Sequence, residues 1–318
     1  MAAIVPILGV ALGAVGLLGG ALYLKQEKLL YLPQIPSRHY DAYPDQFEGL
    51  AYEDVALRAV DGTRIHAWLV FPVRSETGQR PRVTIIYFHG NAGNLSHRLQ
   101  DVRNLIATCQ CNVLMVSYRG YGESSGTPSE QGFKLDASAA MEFCLNAGKH
   151  AAADDSGTST AAGRVSSARL IESDLLYVFG RSIGGAVALW LGRKYGSKLR
   201  GVIVENTFTC IGDMIDVVFP RGLRWLKRLN RNPWNSLALV GKIRSPILFI
   251  SGRQDELVPP SHMDALYNAA RAGSCMLARM VYIPDGTHND TWYRGGERYY
   301  QAIADFIQET RGLRSLTD

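Results

Sequence analysis

A chain of 318 residues with 47% hydrophobic and 20% charged content can build one large domain or two small ones, and its make-up excludes wholesale disorder. Its net charge of +5 is carried by scattered residues, so the composition does not point to a nucleic-acid partner. Five cysteines (Cys109, Cys111, Cys144, Cys210, Cys275) form no disulfide framework, Cys109-x-Cys111 lacks the second pair of a zinc site, and the seven histidines fall in no metal-binding spacing, so neither a metal nor a cofactor is expected.

The first element is a stretch without charge, "IVPILGVALGAVGLLGGALYL" at 4–24. About 21 residues at about 1.5 Å rise span about 31 Å, matching a hydrocarbon core of about 30 Å. A cleaved signal peptide would carry a basic start and a shorter apolar run of about 7–15 residues, so the stretch reads as a retained anchor in contact with the lipid bilayer. Residues 1–25 are thus expected to form a single transmembrane anchor and 26–318 the main domain. Lys25 and Lys28 follow the span, which leans the domain toward the cytosolic side. The sequons at Asn94 and Asn289 would be usable only on the other side.

"KLLYLPQIPSRHY" then reads as a juxtamembrane linker. Residues 64–72 alternate as a half-exposed strand. Short apolar runs follow at 83–90, 112–120, 174–180, 201–208, 246–252 and 279–286, with the texture of strands buried on both faces. Helical patterns at 96–110, 129–147, 183–196, 259–272 and 293–311 separate them. This alternation predicts an α/β fold, a mostly parallel sheet with helices on both faces.

Two stretches interrupt the alternation. Residues 148–168, rich in Ala, Ser, Gly and Thr, read as a flexible surface insertion. Residues 209–241 are longer than a crossover needs and read as a short helical cap. Within them, Leu223, Trp225 and Leu226 mix with Arg221, Arg224, Lys227, Arg228 and Arg231. That pattern fits either a basic amphipathic helix lying on an anionic bilayer or an excursion covering the sheet with a solvated face.

Between the runs "LLYVFG" and "GGAVALWLGRKYG" stands Ser182, as Gly180-Arg181-Ser182-Ile183-Gly184. A lone G-x-S-x-G is weak, but strand before and helix after is the setting of a nucleophile elbow, in which bulky side chains at Gly180 and Gly184 would clash. A serine needs a base and the base an orienting carboxylate, in the order Ser, acid, His on loops after later strands. "RQDELVPP" offers Asp255, with Glu256 and Glu205 as alternatives, and "THND" offers His288; Asp285 and Asp290 shape the histidine's loop. The oxyanion donors would be the backbone amides of Ile183 and of Asn91, in "HGNAGN" after an early strand. His89 reads as structural rather than as a second base.

"YFHGNAGN" at 87–94, "SYRGYGESSGTPSE" at 117–130, "GRSIGGAVAL" at 180–189, "ENTF" at 205–208, "SGRQDELVP" at 251–259 and "GTHND" at 286–290 together resemble the bud-emergence (BEM-type) family of membrane-anchored α/β-hydrolase-domain proteins, from about residue 28 to 309. The resemblance implies an α/β-hydrolase fold, Ser182, Asp255 and His288 as catalytic residues, and an N-terminal signal anchor. It implies a serine hydrolase; the reading taken here is one that acts on an acyl ester or thioester, with a serine amidase or peptidase, or a non-catalytic membrane adaptor, as alternatives. Relatives that remove protein-bound palmitate carry a cysteine cluster in their leader; this chain has no cysteine before Cys109. Arg119 is expected to tie down its loop and Tyr118 and Tyr121 to pack.

Overall fold

Strands β1 (Leu50–Arg58) and β2 (Arg64–Pro72) open the sheet, followed by β3 (Thr84–Phe88), β4 (Asn112–Val116), β5 (Leu176–Arg181), β6 (Gly201–Glu205), β7 (Ile247–Gly252) and β8 (Ala278–Ile283). The computed structural model of the chain describes residues 20, 23–73, 82–153 and 170–313. Across the sheet the order is β1-β2-β4-β3-β5-β6-β7-β8. β1 pairs antiparallel with β2 and β2 with β4, and the other six strands run parallel. This is an α/β-hydrolase fold with a mostly parallel central sheet.

The two-residue period of a strand sends alternate side chains to opposite faces. Along β3, Ile86 and Phe88 enter one core with α3 (Glu130–Ala153), α4 (Ile183–Tyr195) and α7 (Pro260–Ala272). Ile85 and Tyr87 enter the other with α2 (Leu99–Cys109) and α8 (Thr291–Arg311). Covered on both sides, β3 to β7 have no need of a polar face, which is why their sequences are unbroken apolar runs. A truncation such as Leu114→Ala in this double-sided core would cost about 2–5 kcal/mol.

Two strand expectations are corrected by position in the sheet, and one strand is not expected at all. β8 is an edge strand, half-exposed, with Arg279 paired to Glu309 on α8 rather than buried on both faces. β2 is not half-exposed: Ile65 to Val70 are buried, because β1 and β4 flank it and Tyr40, Tyr43 and Tyr52 lie against Trp68. β1 itself escapes the sequence pattern, since Glu53 and Asp54 interrupt its apolar residues, yet Val55 and Leu57 are in the core.

The expected linker is instead part of the fold. A helix, α1 (23–30), leads to Tyr31, which is 2% exposed. Its hydroxyl donates to Asn232 Oδ1 and accepts from Trp234 Nε1, both at 3.0 Å. Leu32 then bridges to Ala92. Residues 209–241 leave the C-terminal end of β6 as α5 (Ile211–Val218), a 3-10 helix (Arg221–Leu229) and α6 (Ser236–Val240).

The uncharged 4–24 stretch lies almost wholly outside the described residues, and among those described no helix is long and apolar enough to cross a membrane. Of the expected insertion at 148–168, α3 continues to Ala153 and the remainder lies outside the described residues. The Asn94 sequon is closed to modification in the folded chain: the side chain is fully buried, and Nδ2 donates to the carbonyls of Ser37 and His39.

Candidate active site

The turn from β5 into α4 holds Ser182 at φ +55°, ψ −120°, a conformation that a residue with a Cβ adopts only under constraint. Its neighbours supply that constraint. A Cβ on Gly180 would run into the carbonyl of Gly184, and one on Gly184 into the carbonyl of Phe88 at the end of β3. Ser182 N–H donates to the Glu205 carbonyl at 2.9 Å, and the Ser182 carbonyl accepts from Gly185 N at 2.9 Å and from Thr207 Oγ1 at 2.7 Å. Gly185 is needed too, because a Cβ there would strike the Thr207 side chain.

From β7 and β8, two loops bring their side chains to this serine. His288 Nε2 lies 3.1 Å from Ser182 Oγ, and His288 Nδ1 lies 2.8 Å from Asp255 Oδ2. An ionised carboxylate can only accept, so Nδ1 carries the proton and the Nε2 lone pair faces the hydroxyl. Asp255 Oδ1 accepts from the amides of Leu257 at 2.9 Å and Val258 at 2.7 Å, which orients the carboxylate. Ser182, His288 and Asp255 are 9%, 5% and 6% exposed, so their mutual electrostatics are little screened by water.

Around the histidine the loop is braced. Asp290 Oδ1 accepts from Thr287 N and Oγ1, each at 2.8 Å. Arg181 Nη2 donates to the carbonyl of Asn289 at 2.5 Å. Asn206, just past β6, donates from Nδ2 to the Thr287 carbonyl at 3.1 Å and to Thr291 Oγ1 at 2.9 Å, while its Oδ1 accepts from Gly252 N at 2.8 Å. One side chain therefore ties the end of β7, which leads to Asp255, to the loop carrying His288.

Glu205 does not stand beside His288 as an alternative acid. It is fully buried on the other side of the elbow, with Oε2 accepting from the Tyr299 hydroxyl at 2.8 Å and Oε1 3.4 Å from Arg181 Nε. Burial holds its carboxyl above the usual carboxylate range, against the lowering pull of the Arg181 charge. Glu256 and Asp285 are exposed.

Gly90 brings the loop after β3 against the elbow: a Cβ there would sit 3.8 Å from Ser182 Cβ. The next amide, Asn91 N–H, and the first amide of α4, Ile183 N–H, make no other hydrogen bond among the described residues. Two free donors flanking a serine at a helix N-terminus can accept a developing negative charge. His89 contributes differently. Its Nδ1 donates to the Gly90 carbonyl at 2.7 Å, its Nε2 has no partner, and burial pushes it down to about 3, so it is neutral at physiological pH. Tyr118 stacks on Phe133 at 4.0 Å and donates to the His89 carbonyl, and Arg119 pairs with Asp136 and Asp61.

Asn206, Thr207 and Arg181 are the site residues that the sequence does not single out by role, although the first two lie within "ENTF" and the third within the elbow. Among the described residues no group of three or more His, Cys, Asp or Glu stands together as a metal site. A cleft of about 1380 Å³ lined by Arg193, Lys198, Lys242 and Arg244 opens at the other end of the sheet and touches none of the site residues.

The comparisons agree with this architecture. A model of the Prolyl oligopeptidase family matches residues 149–314. The chain is 40% identical to the alpha/beta hydrolase domain-containing protein WAV2 of Arabidopsis thaliana over 93% of its own length and 92% of the relative's. It is 38% identical to protein bem46 of Schizosaccharomyces pombe over 91% of its length and 88% of the relative's. The esterase Pf2001 of Pyrococcus furiosus superposes with a TM-score of 0.63 at 18% identity, over 85% of this chain and 96% of that one, a likeness of fold. With such identity sustained along both curated relatives, the chain belongs to the bud-emergence (BEM-type) family of α/β-hydrolase-domain proteins.

Proposed function

We propose that this protein is a membrane-anchored serine hydrolase that cleaves carboxylic ester or thioester bonds through an acyl-enzyme. The observation that carries the reading is the continuous relay from Ser182 Oγ to His288 at 3.1 Å and on to Asp255 at 2.8 Å, buried beside two unspent backbone amides. As Ser182 attacks the acyl carbon, its proton passes to His288 Nε2, and the Asp255 carboxylate stabilises the imidazolium. The amides of Asn91 and Ile183 hold the oxyanion. His288 then gives the proton to the departing alcohol or thiol, and a water deprotonated by the same nitrogen releases the acid and restores the serine.

Residues 1–25 serve in this reading as the anchor and 26–318 as the hydrolase domain, with 209–241 as its cap. The esterase Pf2001, similar in fold, supports ester chemistry; the Prolyl oligopeptidase family match supports a second reading, amide cleavage by the same groups. A fluorophosphonate probe tests the nucleophile. Wild type should be labelled and Ser182→Ala should not; absence of label on folded wild type returns the chain to a non-catalytic adaptor. Turnover of matched ester, thioester and amide substrates separates the two chemistries.

A further inference from the structure

Helix α1 is fastened to the segment that follows β6. Gln26 Nε2 donates to the Leu229 carbonyl at 3.1 Å, and Gln26 Oε1 accepts from the Arg231 amide at 2.6 Å. The Arg231 guanidinium pairs with Glu27 at 2.6 Å and lies 5.0 Å from the ring of Tyr23. The two segments therefore move as one body.

Large apolar side chains on that body face outward. Val218 is 57% exposed, Trp225 48% and Leu223 43%, with Phe219 also exposed, and Leu24 on α1 is 70% exposed. Isolated exposed apolar residues are ordinary, but a cluster of this kind marks a surface made to be covered. The cations interleaved with them, Arg221, Arg224 and Arg228, have no hydrogen-bond or ion-pair partner among the described residues, and neither have Lys25 and Lys28. The neighbouring acids, Glu27 and Asp216, are already paired with Arg231 and Lys227. What is left is a face of bulky apolar groups ringed by uncompensated positive charge.

We infer that this face, formed by α1 and the stretch from Val217 to Arg228, docks on an anionic bilayer surface. Two observations select lipid over a protein partner. The uncharged 4–24 stretch leads directly into α1, so the face lies beside the point where the chain would leave a membrane. The mixture of aliphatic, tryptophan and basic side chains also suits the headgroup layer, where rings and alkyl groups sit below the phosphates and cations meet them. α5 departs from the same end of the sheet as the Ser182 elbow. Docking therefore turns the serine's side of the molecule toward the lipid. That last consequence, a substrate whose acyl chain resides in the bilayer, rests on the hydrolase reading; the docking does not.

The test uses the full chain reconstituted into phosphatidylcholine vesicles, with and without phosphatidylserine, whose acyl chains carry bromine to quench tryptophan. The difference between wild type and Trp225→Phe isolates Trp225 from Trp68, Trp190, Trp234 and Trp292. Quenching of Trp225 that is stronger with phosphatidylserine supports the inference. Each cation near an anionic surface is worth about fivefold, so the triple variant Arg221→Gln/Arg224→Gln/Arg228→Gln should lower the docked-to-undocked ratio on the order of 100-fold. Its turnover of a water-soluble short-chain ester should stay at the wild-type value, which shows that it is folded. Equal quenching of wild type and Trp225→Phe in anionic vesicles overturns the inference, as does quenching indifferent to phosphatidylserine and to the triple variant. If Trp225 is quenched but no ester, thioester or amide is turned over, the docking stands and the hydrolase reading fails.

Discussion

The Asn91 carboxamide donates from Nδ2 to the Leu30 carbonyl at 2.6 Å, binding the loop after β3 to the end of α1 across 61 residues of sequence. Its Oδ1 accepts from the Tyr121 hydroxyl at 3.0 Å, and two residues on, Gly93 N–H donates to the Ile35 carbonyl at 2.6 Å. The segment that joins the uncharged N-terminal stretch to the domain is thus a structural support of the proposed oxyanion loop. Asn91→Ala keeps the backbone donor but releases the loop. A misplaced donor costs transition-state stabilisation rather than substrate affinity, so kcat should fall about 10- to 100-fold with KM nearly unchanged. Steady-state kinetics on a soluble ester measure both, and an unchanged kcat would show that the latch has no catalytic consequence.

Asp255→Asn tests the relay without emptying the site. The asparagine Oδ1 can still accept from the Leu257 and Val258 amides, so stability should hardly change. Its Nδ2 would donate toward His288 Nδ1 and force the proton onto Nε2, facing the serine with a donor. A loss on the order of 10⁴-fold in kcat is expected, with the unfolding midpoint close to wild type.

Asn206 sits at φ +46° and holds the loops that carry Asp255 and His288. Asn206→Gly removes the four side-chain hydrogen bonds but suits the backbone, whereas Asn206→Ala removes them and adds left-handed strain. Both should be destabilised by about 2–4 kcal/mol through unpaired buried groups. The alanine variant should be worse by roughly 1 kcal/mol. Urea denaturation of the pair measures the difference; equal stabilities would show that the backbone there carries no strain.

His89 makes acid stability predictable. Its folded value of about 3 lies below the ordinary histidine value of 6.5, so between these limits the unfolded chain binds a proton that the folded chain refuses. Stability then rises with pH, and is lost as pH falls below about 6.5, at about 1.4 kcal/mol per unit for this group. Going from pH 6.5 to 5 should cost about 2 kcal/mol from His89 alone. His89→Gln, which cannot titrate, should flatten that limb of the stability curve by the same amount; parallel limbs would mean that the buried imidazole gains a proton without unfolding.

What can be read along the chain is what depends on near neighbours. Val-, Ile- and aromatic-rich runs announce β3 to β7, because strands covered on both faces need no polar side. Gly180, Ser182 and Gly184 announce the elbow, because the turn leaves no room for a Cβ on either side of the serine. The spacing from strand to loop then nominates Asp255 and His288 in order. β1 stays hidden behind Glu53 and Asp54, whose exposure follows only from its place at the sheet edge.

Only the tertiary structure decides between residues that are chemically equivalent in sequence. Glu205 and Asp255 are both acids at or just past the C-terminal ends of buried strands, yet one pairs with Arg181 beneath the elbow and the other meets His288. Leu30, Tyr31 and Leu32 read as a linker until Asn91, Tyr121 and Asn232 close on them from 61 to 201 positions away. Periodicity and turn chemistry are local properties, written into adjacent residues. Which buried charge meets which partner is set by where the folded sheet carries them.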